Sequence, residues 1–209
     1  MSRPLLITDC DEVLLHMVSH FSDWLAEARD VDFAMTSADF RNALTHRATG
    51  AAVSREEMRP LLDDFFDAEM HRQTLVPGAK EALDRLRGQA DVVVLTNLID
   101  RHNGGRVEQL RQFGIDERVV TNQGGKGVPV AALVAEYAPS VTVFVDDLAV
   151  HHQSVAEHVP GVFRLHMIAE PRLARVMPPA PHAHARIDGW PEATGWIEDR
   201  FAGIPLPAP

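Results

Sequence analysis

Short apolar runs and helix-spaced apolar stripes alternate along most of this chain. The runs are rich in β-branched residues and read as buried strands: Pro4–Thr8 (PLLIT), Asp91–Thr96 (DVVVLT), Val119–Thr121, Val141–Val145 (VTVFV) and Val162–Leu165 (VFRL). Helical spacing fills the gaps. Val76-Pro77-Gly78 opens a stretch over Ala79–Arg87 with Ala82, Leu83 and Leu86 on one face. Val107, Leu110 and Phe113 share a face. Pro129–Tyr137 carries Ala132, Leu133 and Ala135, and Ala149–His158 follows the fourth run. Such alternation with short links predicts an α/β fold. Its core is a Rossmann-like parallel sheet with helices on both faces.

Two stretches break the rhythm. About eighty residues separate the first strand from the second with no good strand between them. One helical stripe there runs through Leu14, Met17, Val18, Phe21, Trp24, Leu25 and Ala28. A second follows Ser54 and Glu57, which have capping-box spacing, and holds Met58, Leu61, Leu62, Phe65, Phe66 and Met70. A plain crossover does not need this much chain. The pattern predicts a small helical insertion over residues 15–75, above one end of a core built from residues 1–14 and 76–209. The second break starts at Pro171 and holds eight of the fourteen prolines. Within it Trp190–Phe201 reads as a docked helix and Gly203–Pro209 as an extended tail.

Composition narrows the options. The 209 residues are 45% hydrophobic, enough for a buried core. No apolar run approaches the ~18 residues of a membrane span. The acidic pair Asp9 and Asp11 arrives before an apolar leader could form. Cys10, the single cysteine, cannot form an internal disulfide, which fits a reducing cytoplasm. Net charge is −10, with no basic stripe, so nucleic acid is excluded as a partner. Eighteen of the twenty basic residues are Arg; only Lys80 and Lys126 are Lys.

Four polar clusters fall at strand ends or in the loops that follow. The first strand runs into Asp9-Cys10-Asp11, whose i, i+2 carboxylates point the same way. Close carboxylates repel, and a divalent cation with a taste for oxygen relieves them. The second strand ends in Thr96-Asn97, a hydroxyl with nearby N–H groups that can cradle an oxyanion. Lys126 lies in Gly124-Gly125-Lys126-Gly127 ahead of a helix; Val128 stands where a Walker loop has Ser or Thr. The fourth strand ends in Asp146-Asp147. In a parallel sheet all four gather at the carboxyl edge, where such folds bind ligands.

This ordered set resembles the four motifs of the haloacid dehalogenase-like superfamily, over roughly residues 5–154. The insertion between the first two motifs resembles that superfamily's cap. The resemblance implies a Mg²⁺-dependent phosphatase of small phosphate monoesters, acting on a phosphorylated metabolite. It implies Asp9 as nucleophile, forming an aspartyl-phosphate, and Asp11 as general acid and base. Thr96 and Asn97 would hold phosphoryl oxygens, with Lys126 offsetting charge. Mg²⁺ would sit on the Asp9 carboxylate, the Asp11 carbonyl and Asp147, with Asp146 pairing to Lys126 or to a metal-bound water. A phosphomutase or another phosphotransferase would keep the same motifs. A dehalogenase needs no second acid, and a metal-binding regulator without turnover would also keep the acids. The oligomeric state is not implied.

Glu12 departs from the superfamily pattern, in which Gly usually follows the second Asp. A carboxylate there could fix a hinge, repel anions, favour a substrate with a cationic end, or point to solvent. His16 and His20, spaced i, i+4, read as partly exposed positions on the first inserted helix. His151-His152 and His182/His184 read as surface residues. The four acids against Lys126 make a strongly negative site, so Mg²⁺ should raise the melting temperature. A midpoint unchanged between chelator and millimolar Mg²⁺ would count against the acids sharing one site.

Overall fold

The computed structural model describes residues 2–35 and 43–206. Part of the expected insertion (36–42) and the last three residues of the tail therefore lie outside the described residues.

The elements follow one another as β1 (Leu5–Thr8), β2 (Leu15–His16), α1 (Val18–Ala28), β3 (Val31–Phe33), β4 (Leu44–His46), α2 (Arg55–Ala68), β5 (Thr74–Leu75), α3 (Ala79–Leu86) and β6 (Asp91–Thr96). Then come α4 (Asn103–Gln112), β7 (Arg118–Thr121), α5 (Gly127–Tyr137), β8 (Thr142–Asp146), α6 (Ala149–His158), β9 (Phe163–His166), α7 (Pro171–Val176), β10 (Ala185–Arg186) and α8 (Trp190–Phe201). Six strands form one sheet in the order β10-β9-β8-β1-β6-β7, and every pairing is parallel. The α/β, Rossmann-like architecture expected from the pattern is the one observed.

Side chains alternate across β1 and so feed two cores. Leu5 and Ile7 join Val93, Leu95, Phe144, Val130, Leu133 and Val155 on one face of the sheet. Leu6 joins Val94, Val143, Leu83, Leu86, Trp190 and Ile197 on the other. Trp190 is fully buried, its indole N–H donating to the Val13 carbonyl at 2.8 Å. The proline-rich C-terminal part thus completes the core.

Residues between β1 and α3 build a separate aromatic cluster. Phe21, Trp24, Leu25, Val31, Leu44, Val53 and Phe65 are its buried members. The Ser54 capping box is present: its hydroxyl accepts from Glu57 N–H at 3.2 Å, and the Glu57 carboxylate accepts from Ser54 N–H at 2.8 Å. Two features differ from the pattern. The β3–β4 hairpin lies where no strand was expected, its three-residue strands being too short to show alternation. Helix α1 starts at Val18, not Leu14. Cys10 O takes the Leu14 and Leu15 N–H groups in a turn, and Leu15–His16 then pairs with Thr74–Leu75. This two-strand ribbon is where the segment leaves and rejoins the sheet.

Backbone proximity explains the glycines around Lys126. A Cβ on Gly127 would strike the Ser154 carbonyl oxygen of α6, and Gly124 has φ +91°. Gly127→Ala should destabilise the protein by about 1–3 kcal/mol through overpacking. Gly104→Ala, on the exposed face of α4 with nothing within 4 Å of the added methyl, should instead stabilise it by about 0.5–1 kcal/mol. Urea midpoints for the two variants check both signs.

Candidate active site

Parallel registry brings the four polar clusters together. Thr8 lies opposite Val94 of β6 and Val145 of β8. One step further along, Asp9 leaves β1 beside Asp146 at the end of β8. This is the point from which the strand order runs outward in both directions, the usual ligand crevice of an open α/β sheet.

Lys126 holds the centre. It is fully buried, with its ammonium 2.8 Å from Asp9 Oδ1 and 2.7 Å from Asp146 Oδ2. Asp9 Oδ1 also accepts from Cys10 N–H at 2.7 Å. Asp146 Oδ1 accepts from Leu148 N–H at 2.9 Å. Carboxylate oxygens of Asp9, Asp146 and Asp147 lie within 4.8 Å of one another. Among the described residues nothing donates to the half-buried Asp147 carboxylate.

Electrostatics follow from this crowding. Burial pushes the Asp9 carboxyl up to about 7, with Lys126 opposing it and Asp146 and Asp11 adding to it. Burial also raises Asp147 well above the usual carboxylate range, helped by the charges of Asp146, Asp9 and Glu12. Burial would raise Asp146 too, but Lys126, His151 and His152 together outweigh it and hold that carboxyl below its ordinary value. Burial works against the Lys126 ammonium, and the two carboxylates more than offset it. Crowded carboxylates, one of them without a donor, fit a hard cation with oxygen ligands.

Asp11 sits beside this cluster in a network of its own. Arg106 Nη2 donates to both of its oxygens, at 2.9 and 3.0 Å, and Gln73 Nε2 to Oδ1 at 2.6 Å. Thr96 Oγ1 is 3.5 Å from Asp11 Oδ2. Arg106 is fully buried, and its Nη1 donates to Gln73 and Gln109. Gln109 in turn donates to the Met70 carbonyl at 2.5 Å. Asn97 donates to the Gly124 carbonyl at 2.9 Å and lies 3.3 Å from His151 Nε2. All seven residues singled out by the motifs, Asp9, Asp11, Thr96, Asn97, Lys126, Asp146 and Asp147, stand at this one edge.

Several expectations need correction. His151 and His152 are buried, not superficial. They face the sheet because α6 packs directly against the Asp146 turn, and His152 Nε2 donates to the Asp146 carbonyl at 3.0 Å. His16 lies in β2 and His20 in α1, so the two do not share a helix; His20 contacts Thr74 Oγ1 at 3.0 Å. Glu12 does not reach solvent. It is 2 % exposed at φ +59°, and its Oε1 accepts from the Met17 and Val18 N–H groups that α1 leaves open at 2.8 and 2.6 Å. Burial pushes its carboxyl up to about 7 against those two hydrogen bonds. Arg106, Gln73 and Gln109 carried no motif. The signal in reach was Arg106 and Gln109 sharing a helix face with Leu110, where apolar residues belong.

A cavity of about 240 Å³ adjoins the cluster. Arg59, Leu62, Asp63 and Phe66 of α2 line one side. Asn97–Ile99, His102, Gln123 and Gly124 line the other.

Solved structures resemble the whole chain. A haloacid dehalogenase-like hydrolase from Burkholderia xenovorans LB400 is 15% identical, with 97% of this chain and 99% of that chain covered and a TM-score of 0.64. The magnesium-bound HAD-hydrolase YfnB from Bacillus subtilis is 14% identical, covering 94% and 99%, with a TM-score of 0.61. A protein assigned as a phosphoglycolate phosphatase from Lactobacillus plantarum is 14% identical, covering 93% and 99%, with a TM-score of 0.59. No protein-family profile and no curated protein sequence matches the chain. The fold is that of the haloacid dehalogenase-like hydrolases. Among the described residues no helix is long and apolar enough to cross a membrane.

The buried histidine yields a pH prediction. Burial lowers His152 from 6.5 to about 4. Unfolding therefore takes up a proton between those values, and the contribution present above pH 6.5 is lost as pH falls through the window. His152→Gln keeps a donor for the Asp146 carbonyl. It should be less acid-sensitive than wild type by about 2–3 kcal/mol between pH 7 and 4.5. Urea unfolding at the two pH values reads the difference; equal losses would refute it.

Proposed function

We propose that this chain is a magnesium-dependent phosphatase of the haloacid dehalogenase-like superfamily, hydrolysing small phosphate monoesters in the cytoplasm. The observation that carries this reading is the Asp9–Lys126–Asp146 bridge beside Asp147. Lys126 and Cys10 N–H occupy Asp9 Oδ1, which leaves Oδ2 as the nucleophilic oxygen. Asp146 is occupied by Lys126 and Leu148 N–H. Asp147, to which nothing donates among the described residues, is then the acid that would meet the cation directly. Asp9, Asp147 and the Asp11 carbonyl would hold magnesium, which would supply the positive charge that lets a carboxylate approach a phosphate.

The rest is the work of the chain's own residues. Asp9 Oδ2 bonds to phosphorus as the ester oxygen leaves, giving an aspartyl-phosphate. Asp11 gives the leaving oxygen a proton. It then takes one from the water that attacks phosphorus, so that inorganic phosphate departs and both carboxyls are restored. Thr96 Oγ1 and the Asn97 N–H hold phosphoryl oxygens, and Lys126 offsets their charge. Residues 15–75 act as a cap. Its α2 face and the loops after β6 and β7 form the wall of the cavity beside Asn97, which has room for a small organic group and excludes bulk water when closed. This favours a small phosphorylated metabolite over a phosphoprotein.

Wild type should release phosphate from an aryl phosphate with Mg²⁺, and Asp9→Asn should lose that release by at least about 10³-fold. Turnover surviving in Asp9→Asn would remove Asp9 as nucleophile.

A further inference from the structure

The reaction proposed above leaves the buried acid Glu12 without a task. Glu12 Oε1 is taken up by Met17 and Val18 N–H, but Oε2 is buried with no hydrogen-bond partner among the described residues. A buried carboxylate oxygen is costly to leave unmatched, so a cation or a held water is its physical complement. The backbone supplies a second, independent observation. Glu12 has φ +59°, a conformation glycine adopts freely and a glutamate only under strain. Glycine would fit this turn better, yet the position carries a carboxylate. Glu12 lies one residue past the Asp11 carbonyl proposed as a ligand, and the 166–169 segment beside it also reaches the Asp147 carbonyl, through His166 Nε2 at 2.8 Å. Its own backbone is pinned: Glu12 N–H donates to the Leu15 carbonyl at 2.7 Å, and Glu12 O accepts from Ala169 N–H at 2.9 Å. The side chain is thus held between the nucleophile loop and the first turn of α1.

We propose that Glu12 is a positioning residue of the cation site. Oε2 offers the hydrated cation an additional anionic oxygen while Oε1 fastens α1, so cation binding and the seating of that helix are linked. The proposal rests on the reading of this edge as a magnesium site. Magnesium keeps several of its waters when bound, and those waters need acceptors around it. A hinge pin that worked only through Met17 and Val18 would need an acceptor oxygen but no charge. That difference separates the two roles.

Titration calorimetry of the full chain with Mg²⁺ alone tests it. Glu12→Gln keeps an acceptor for the two N–H groups and removes the charge. Glu12→Gly suits the backbone and removes both functions. Both variants should bind Mg²⁺ about fivefold to tenfold more weakly than wild type. In chelator Glu12→Gln should melt no lower than wild type. Equal Mg²⁺ affinity in wild type and Glu12→Gln overturns the proposal and leaves the magnesium site standing. If Glu12→Gln does not fold, equal affinity in Glu12→Gly overturns it in the same way. Wild type that binds no Mg²⁺ overturns both the proposal and the reading beneath it.

Discussion

A buried lysine between two carboxylates governs this structure. Lys126 has no exposed surface and ties the end of β1 to the end of β8 through Asp9 and Asp146. Burying those charges is costly, and removing one partner would leave an uncompensated charge inside. The surrounding chain is shaped to keep all three in place. Parallel register sets Asp9 beside Asp146. The glycines on either side of Lys126 let α5 approach α6 closely enough for Gly127 N–H to reach Ser154 Oγ at 2.9 Å. The bridge also divides the neighbouring acids by what remains free. Asp146 is saturated by Lys126 and Leu148 N–H, while Asp147, one residue on, has nothing donating to it among the described residues.

The sheet was legible because burial on both faces writes continuous apolar runs, and each of the five runs corresponds to an observed strand within a residue or two. The polar clusters were legible because strand ends in a parallel sheet share an edge, so proximity follows from topology and needs no knowledge of side-chain packing. Helices α6 and α8 match their expected spans for a similar reason: each has clear boundaries in sequence. Other helical faces were read less well. Ala132 and Ala135 are exposed on α5, whose buried positions are Val130 and Leu133. A helix made almost wholly of apolar residues has no polar side to mark its orientation.

What stayed hidden is the set of buried polar partners. Arg106 meets Asp11 across 95 positions of sequence, and Gln73 meets it across 62. Nothing local distinguishes such residues from solvated ones. His151 and His152 look equally ordinary beside the exposed Gln153. Their burial comes from α6 lying against the motif it follows, where His152 and His166 donate to the carbonyls of Asp146 and Asp147. These two bonds hold the main chain under the acids from below. The aim of the acids therefore rests partly on one ring, that of His152, which the sequence reading places at the surface. Glu12 is the sharper case: the same residue read as a departure from pattern is the one that completes the start of α1.

The Arg106 network has a mechanical consequence. Asp11 is bonded to Gln73, Gln73 shares Arg106 with Gln109, and Gln109 bonds to the Met70 carbonyl. Met70 and Gln73 lie in the short turn just before β5, which leads the inserted segment back to the sheet. Any displacement of that segment must either carry Asp11 along or break its bond to Gln73. On the outgoing side, Glu12 grips the first turn of α1. Both routes between the inserted helices and the sheet are thus fastened to residues flanking the nucleophile, one through an ion-paired network and one through a single carboxylate. Motion of α1 or of the turn before β5 and the geometry around Asp9 are therefore not independent variables. A buried, hydrogen-bonded network is stiff because breaking one bond exposes several unsatisfied groups at once.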